Sequence, residues 1–538
     1  MKQLFTLGIT FLALSAQGQL VVQNGATFFI DAGATVTVQG DVTANANIAG
    51  TGRLVMRGTA LQNLNLNGFS VPNLEIDNAS HVAMGTAGRV TNQLIMTAGK
   101  LQLGNFNLTM DAASTVTGAA AGRFVETNGT GELRRELTAA GAYTLPVGVG
   151  NDFTPVTYNV TGGTYSSAFL GARAVAGGHP NRHPRTTDFL NVYWALNRSG
   201  ITGATINTVG TYVDPSDVTG VESDLRTMTY DGANWTLGTA QDATANTVTA
   251  PMTGNSTQLY AMNRFVLVTP KIFLQGAYNN TTGLMNDLLR NSGAYSANTL
   301  PASNVLPSSD PYRNAPYNTA FAHVNNSVPE AVTAPSVFND LTNPENNIVD
   351  WVFVELRNIS SPTQAPVVQT RSVLVQRDGD LVDVDGVSPV YFKNVDAGSY
   401  AVSVRHRNHN GMSSNPASAI SLNLTNTTYD FTTAATTGIF GTANTNYAVQ
   451  NSRNMLFAGN GNSNANVRYS GAANDKDFIL SAGLSGNAAT VLSNQYNALD
   501  YNMNRVVRYG GAANDKDFLL ATPLGGNGST IRNQSLPN

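Results

Sequence analysis

The chain has 538 residues, a formal net charge of −4, no cysteine and only 12% charged residues, about half the usual charged share. These figures exclude a disulfide scaffold, Cys-ligated zinc, iron–sulfur sites and coiled coils, and they argue against nucleic-acid binding, because no basic cluster exists to neutralise phosphates. A hydrophobic share of 42% can bury a core, so the composition points to an all-β, multi-domain chain without transmembrane segments.

Residues 1–18 carry Lys2, an apolar run from Leu4 to Leu14 and the small residues Ala16 and Gly18. This is the pattern of a secretory signal peptide cleaved before Gln19.

Residues 19–137 alternate short apolar runs with Gly, Asn and Ala. Thr27–Ile30, Thr35–Val38, Leu54–Met56, Leu74–Ile76, Leu94–Met96, Leu101–Leu103 and Leu108–Met110 are all too short for helices. Such runs fit a parallel β-solenoid or a sandwich, and recurrence at about 10 and 20 residues favours the solenoid. Residues 138–264 carry longer Thr/Val/Tyr-rich runs, among them Val192–Leu196 and Thr227–Tyr230, and Asp231-Gly232 marks a hairpin turn before Trp235. A β-sandwich is expected there.

Residues 265–346 open on Phe265–Val268. Thr282–Arg290 is predicted as a helix capped by Thr282, with Leu284, Leu288 and Leu289 on one face. Seven prolines between Pro301 and Pro344 mark the rest as ordered loop. In 347–435 strands return at Val349–Leu356, Ser372–Gln376, Val390–Lys393 and Ser399–Arg407. The last alternates with Tyr400, Val402 and Val404 on one face, as in an Ig- or fibronectin-like sandwich.

Residues 436–538 hold a tandem repeat. Val467–Phe478 recurs as Val507–Phe518, with eleven of twelve positions identical, so the segment is a duplication. Before the second copy, Asp500, Asn502 and Asn504 alternate, as oxygen ligands do in an EF-hand-type calcium loop. The Val506 carbonyl and Asp515 or Asp517 would complete a possible calcium site. The first copy offers Asn460, Asn462, Asn464, Asp475 and Asp477, a weaker set without a leading carboxylate. Position six is Arg505 or Ala465 where glycine is normally needed.

Lys271–Tyr278, Met285–Arg290, Asp350–Arg357, Gln376–Asp380 and Val404–His409, followed by these two copies, resemble large Bacteroidetes cell-surface proteins of the hemagglutinin-like, dockerin-like type. The resemblance covers about 270–538. It implies a secreted or outer-surface protein of a Gram-negative bacterium.

Evidence for an enzyme is thin. His179 and His183 are four apart, but Pro180 and Pro184 forbid a shared helical face. His406 and His409 lie among Arg405 and Arg407, which disfavour a metal. The carboxylates Asp31, Asp41, Glu75, Asp77, Asp111 and Glu126 are scattered, whereas sugar cleavage needs a pair. Trp194, Trp235 and Trp351, with Tyr165, Tyr193 and Tyr230, could stack on sugars or fill cores. The expected function is structural or adhesive, without catalysis. Partners would be glycans, another surface protein, or further copies joined through β edges or the repeat. The alternatives are a filament subunit and a carbohydrate-binding or carbohydrate-active protein.

Overall fold

The computed structural model describes residues 18–290, 303–340 and 342–537. The expected signal peptide lies outside them apart from Gly18. The chain divides into two compact units, Met1–Arg264 and Phe265–Asn538. Nearly all regular structure is strand, and no helix among the described residues is long and apolar enough to cross a membrane.

The first unit begins as a parallel β-solenoid. One ladder runs through Leu20–Val22, Val42–Ala44, Gln62–Asn65, Val82–Met84, Leu101–Gln102, Val125–Glu126 and Val147–Val149. A second runs through Thr35–Val38, Arg53–Met56, Ser70–Asp77, Gly88–Ala98, Leu108–Met110 and Leu133–Leu137. Alternate side chains point inward, so apolar residues in register stack from coil to coil. Leu54 faces Leu74, and Leu74 faces Leu94; all three are fully buried, each stabilising the coil by about 2 kcal/mol.

Polar side chains tie the turns together. Asn78 is fully buried, and its Nδ2 donates to the Ala60 carbonyl at 2.8 Å, Gln62 Oε1 at 3.0 Å and the His81 carbonyl at 3.0 Å. Gly99 is the turn residue one coil on. Its φ is +71°, and a Cβ there would overlap the Asn78 carbonyl oxygen, so only glycine fits.

Leu133–Leu137 closes the stack. It pairs in parallel with Leu108–Met110 and antiparallel with Val156–Ala176, which continues antiparallel to Val192–Thr211. The segment expected as a separate sandwich is therefore hydrogen-bonded into the solenoid's own sheet. The expected hairpin is present, with Tyr230 opposite Trp235.

The second unit carries a six-stranded sheet built on Ile348–Asn358, Val367–Gln376 and Gly398–His406, and a three-stranded sheet of Val390–Lys393, Phe265–Lys271 and Thr427–Asp430. One buried apolar cluster runs from Val266 to Leu524, so 265–346, 347–435 and 436–538 share a core. The alternation read in Ser399–Arg407 is not half-exposure: Ala401 and Ser403 are as buried as Val402 and Val404, because Ser403 meets Ser413 of the next strand at 2.8 Å.

Thr282–Arg290 is not a helix. Asn279 Oδ1 accepts the Thr281 N–H at 2.9 Å, Gly283 takes φ +72°, and Tyr278 forms an antiparallel bridge with Met285. A side chain bonding its own backbone outcompetes the helix here.

Candidate functional site

The two copies of the tandem repeat interlock. Asn466–Arg468 of the first pairs antiparallel with Ile531–Asn533, which follows the second. Val506–Arg508 of the second pairs with Val491–Ser493, which follows the first. Each copy thus completes its hairpin with chain that comes after a repeat helix, Asp475–Phe478 or Asp515–Ala521.

Matched residues have matched geometry. The Asn504 N–H donates to Asp500 Oδ1 at 2.9 Å, and the Asn464 N–H donates to Asn460 Oδ1 at 3.0 Å. Asn502 and Asn504 aim Nδ2 at the Ala513 carbonyl, at 3.0 and 3.3 Å. Asn462 and Asn464 aim theirs at the Ala473 carbonyl, both at 2.9 Å. Arg505 and Ala465 have φ of +72° and +67°, so position six keeps the left-handed turn without glycine, at a cost of about 1 kcal/mol.

Asp500 and Asp515 are brought together and buried. Asp515 Oδ1 accepts the Tyr501 N–H at 2.8 Å and Oδ2 the Arg508 N–H at 3.0 Å. Burial, then the charge of Asp500, pushes the Asp515 carboxyl up to about 8; burial pushes Asp500 up to about 6. Burial likewise holds Asp475 well above the carboxylate range.

Asp517 and Asp477 sit apart, exposed on the helix starts. The Asp517 N–H donates to Asn514 Oδ1 and Asp517 Oδ2 accepts from Asn514 Nδ2, both at 2.7 Å. Asp477 and Asn474 make the same exchange, each bond at 2.8 Å. These pairs are reciprocal helix caps.

The side-chain oxygens of this set are bonded within the loop. A calcium loop turns its amide oxygens toward the ion. Here the Asn502 and Asn504 oxygens accept the Asn504 and Val506 N–H groups, and the amide nitrogens face a carbonyl. Of the expected acids, Asp517 is bonded to Asn514 and lines a cleft with Asn502 and Asn504. The loops are stitched by amides.

The repeat is fastened to a buried polar cluster that sequence reasoning missed. Arg407 donates to the Asn497 carbonyl, and Asn408 Nδ2 donates to the Asp500 carbonyl at 2.6 Å. Arg407 Nε also donates to Asp350 Oδ2 at 3.1 Å, and the Tyr496 hydroxyl donates to Asp350 Oδ1 at 2.8 Å. Burial alone would raise Asp350; Arg407 and His406 opposite hold its carboxyl below the usual range.

Hydrogen bonds assign both histidine tautomers. His409 Nε2 accepts the Gly276 N–H at 3.0 Å, so its proton is on Nδ1, 2.7 Å from Asn408 Oδ1 and 3.0 Å from His406 Nδ1. His406 therefore carries its proton on Nε2 and donates to Asp350 Oδ2 at 2.9 Å. Burial lowers the pKa of both rings, so both are neutral.

In the first unit, His179 is ringed by Tyr193, Tyr230, Trp235 and Tyr260, with centroids 4.7 to 5.5 Å away, and its Nε2 lies 2.6 Å from Gln258 Oε1. His183 Nδ1 accepts the Arg185 N–H instead. Trp194 and Trp351 are fully buried. Trp235 is half-buried and is the tryptophan that reaches solvent. Several solenoid carboxylates are paired along the stack, Glu75 with Arg53, Asp77 with Arg57, Asp111 and Glu136 with Arg89, and Glu126 with Lys100, while Glu132 pairs with Arg134 within its own coil.

No protein-family model, no curated protein and no solved structure matches the chain.

Proposed function

We propose that the chain is a secreted or outer-surface structural and adhesive protein of a Gram-negative bacterium, without catalytic activity. The solenoid acts as a spacer, and the second unit, read as a β-sandwich closed by a dockerin-like but metal-free repeat, acts as an anchor. The observation that carries this reading is the pairing of the solenoid's carboxylates. Catalytic solenoids need acids free to give and take protons in a groove; here Glu75, Asp77, Asp111, Glu126 and Glu136 are ion-paired between coils. The half-buried Trp235 and Tyr193 beside His179 are the aromatic surface offered to a sugar ring.

A glycan array probed with the mature protein tests this. Binding to at least one glycan class, lost in Trp235→Ala, is expected; a blank array removes the adhesive reading.

A filament subunit is the second reading. Leu20–Val22 and Thr35–Val38 are edge strands of the first coil among the described residues, and Val21 and Phe29 beside them are exposed. Strand edges of this kind pair between copies. Sedimentation at rising concentration separates the two readings, since persistent monomers remove the filament.

A further inference from the structure

The Pro-rich stretch of the second unit is ordered with almost no regular structure. Its described residues form three short 3-10 turns, at Pro311–Arg313, Pro335–Phe338 and Pro344–Asn346. A loop of this length inside a compact domain needs something to hold it, and the chain has no cysteine to supply a staple.

Three side chains of this stretch converge. Ser309 bridges Ala331, and the Asp310 N–H donates to the Glu330 carbonyl at 2.9 Å, which sets Asp310 beside Glu330. His323 enters from the loop between them. Asp310 Oδ2, His323 and Glu330 offer ligand atoms that all lie within 4.8 Å of one another. Asp310 Oδ2 and His323 Nε2 are 3.1 Å apart. The three side chains are at most 9% exposed. Asp310 Oδ2, His323 Nε2 and Glu330 Oε2 make no hydrogen bond.

The far atom of each group is already held. Asp310 Oδ1 accepts the Tyr312 N–H at 2.8 Å. Glu330 Oε1 accepts from Asn326 Nδ2 at 2.6 Å and Arg371 Nε at 2.8 Å. His323 Nδ1 lies 3.4 Å from Thr370 Oγ1. Outer partners of this kind fix the orientation of metal ligands, and the inner atoms face one another and Arg313.

We propose that Asp310, His323 and Glu330 bind a divalent transition-metal cation of the zinc class. One imidazole and two carboxylates, drawn in around an ion with a position left for water, suit that class. An all-oxygen calcium shell does not include a histidine. Arg313 is the competitor. Its Nε lies 3.2 Å from Asp310 Oδ2 and an Nη 3.5 Å from Glu330 Oε2, while the same side chain donates to the Asn326 and Val328 carbonyls at 2.9 and 3.0 Å. It neutralises part of the charge that the cation would neutralise. The ion would pin the loop to the strand that carries Thr370 and Arg371.

The test is elemental analysis of the full chain after dialysis against zinc, with a zinc titration followed by thermal unfolding. About one cation per chain is expected, with a rise in Tm that chelator reverses. His323→Ala should lose both. Arg313→Gln should bind more tightly, because it removes the competing charge and leaves the three ligands in place. Absence of stoichiometric metal in both the parent chain and Arg313→Gln, with no Tm shift in either, overturns the proposal and leaves Arg313 as the cluster's own cation.

Discussion

His406 Nδ1 lies 3.0 Å from His409 Nδ1, and the bonds at the far nitrogens put the proton between them on His409. The relay from Gly276 through His409 and His406 to Asp350 works only while both rings are neutral. Their folded pKa values are depressed below the ordinary value of 6.5. The stability they contribute is present above that value and lost as pH falls beneath it. Compared with His409→Gln, the parent chain should have the higher Tm at about pH 7.5, and the gap should narrow by about pH 5.5. A gap that is constant across that range would exclude neutral rings as the cause.

Asp515 has the opposite sign. Its folded pKa of about 8 lies above the unfolded value, so the folded form holds a proton that the unfolded form gives up, and stability falls as pH rises toward 8. Asp500→Asn removes the neighbouring charge and copies Asn460 of the first repeat, which makes the same bond. The variant should fold, and its Tm should decline less between about pH 6 and about pH 8. Thermal unfolding of the two proteins across that range checks it.

Calcium should leave the protein unchanged. Millimolar calcium or a calcium chelator should move neither the Tm nor the tyrosine fluorescence, because the Asn502 and Asn504 amides are spent on backbone groups. A calcium-dependent rise in Tm that disappears in Asp500→Asn would contradict the amide-stitched reading.

The solenoid turn gives a sharper mutation. Gly99→Ala forces a Cβ onto the Asn78 carbonyl at a positive φ, at a cost of about 3 kcal/mol. Denaturant unfolding followed by tryptophan emission should show an earlier transition for the first unit, where Trp194 and Trp235 lie.

Asn78→Ala should cost about 2–4 kcal/mol, since it removes three hydrogen bonds from a fully buried amide and opens a small void. The same denaturant curves measure it. A loss under about 0.5 kcal/mol, the scale of an exposed surface change, would mean that water replaces the amide.

The short strands were legible because alternation is local: Thr35–Val38, Leu108–Met110 and Val390–Lys393 stand where the sequence places them. Thr282–Arg290 misleads because leucine spacing says nothing of the Asn279 side chain that captures the preceding turn. The repeat loops were found by duplication, but which atom of each asparagine faces inward depends on Ala473 and Ala513, nine to eleven residues away. His406 and His409 were set aside for their arginine neighbours. Arg407 in fact answers Asp350, 57 positions earlier, a distance no local pattern spans.

The exchange of strands between the two repeat copies fixes an order of events. Asn466–Arg468 cannot find its partner until Ile531–Asn533 has been made. During synthesis, the first copy must wait, half-built, for the chain beyond the second. A truncation there would undo the earlier copy together with the later one, so the pair behaves as a clasp that shuts last and shuts all at once.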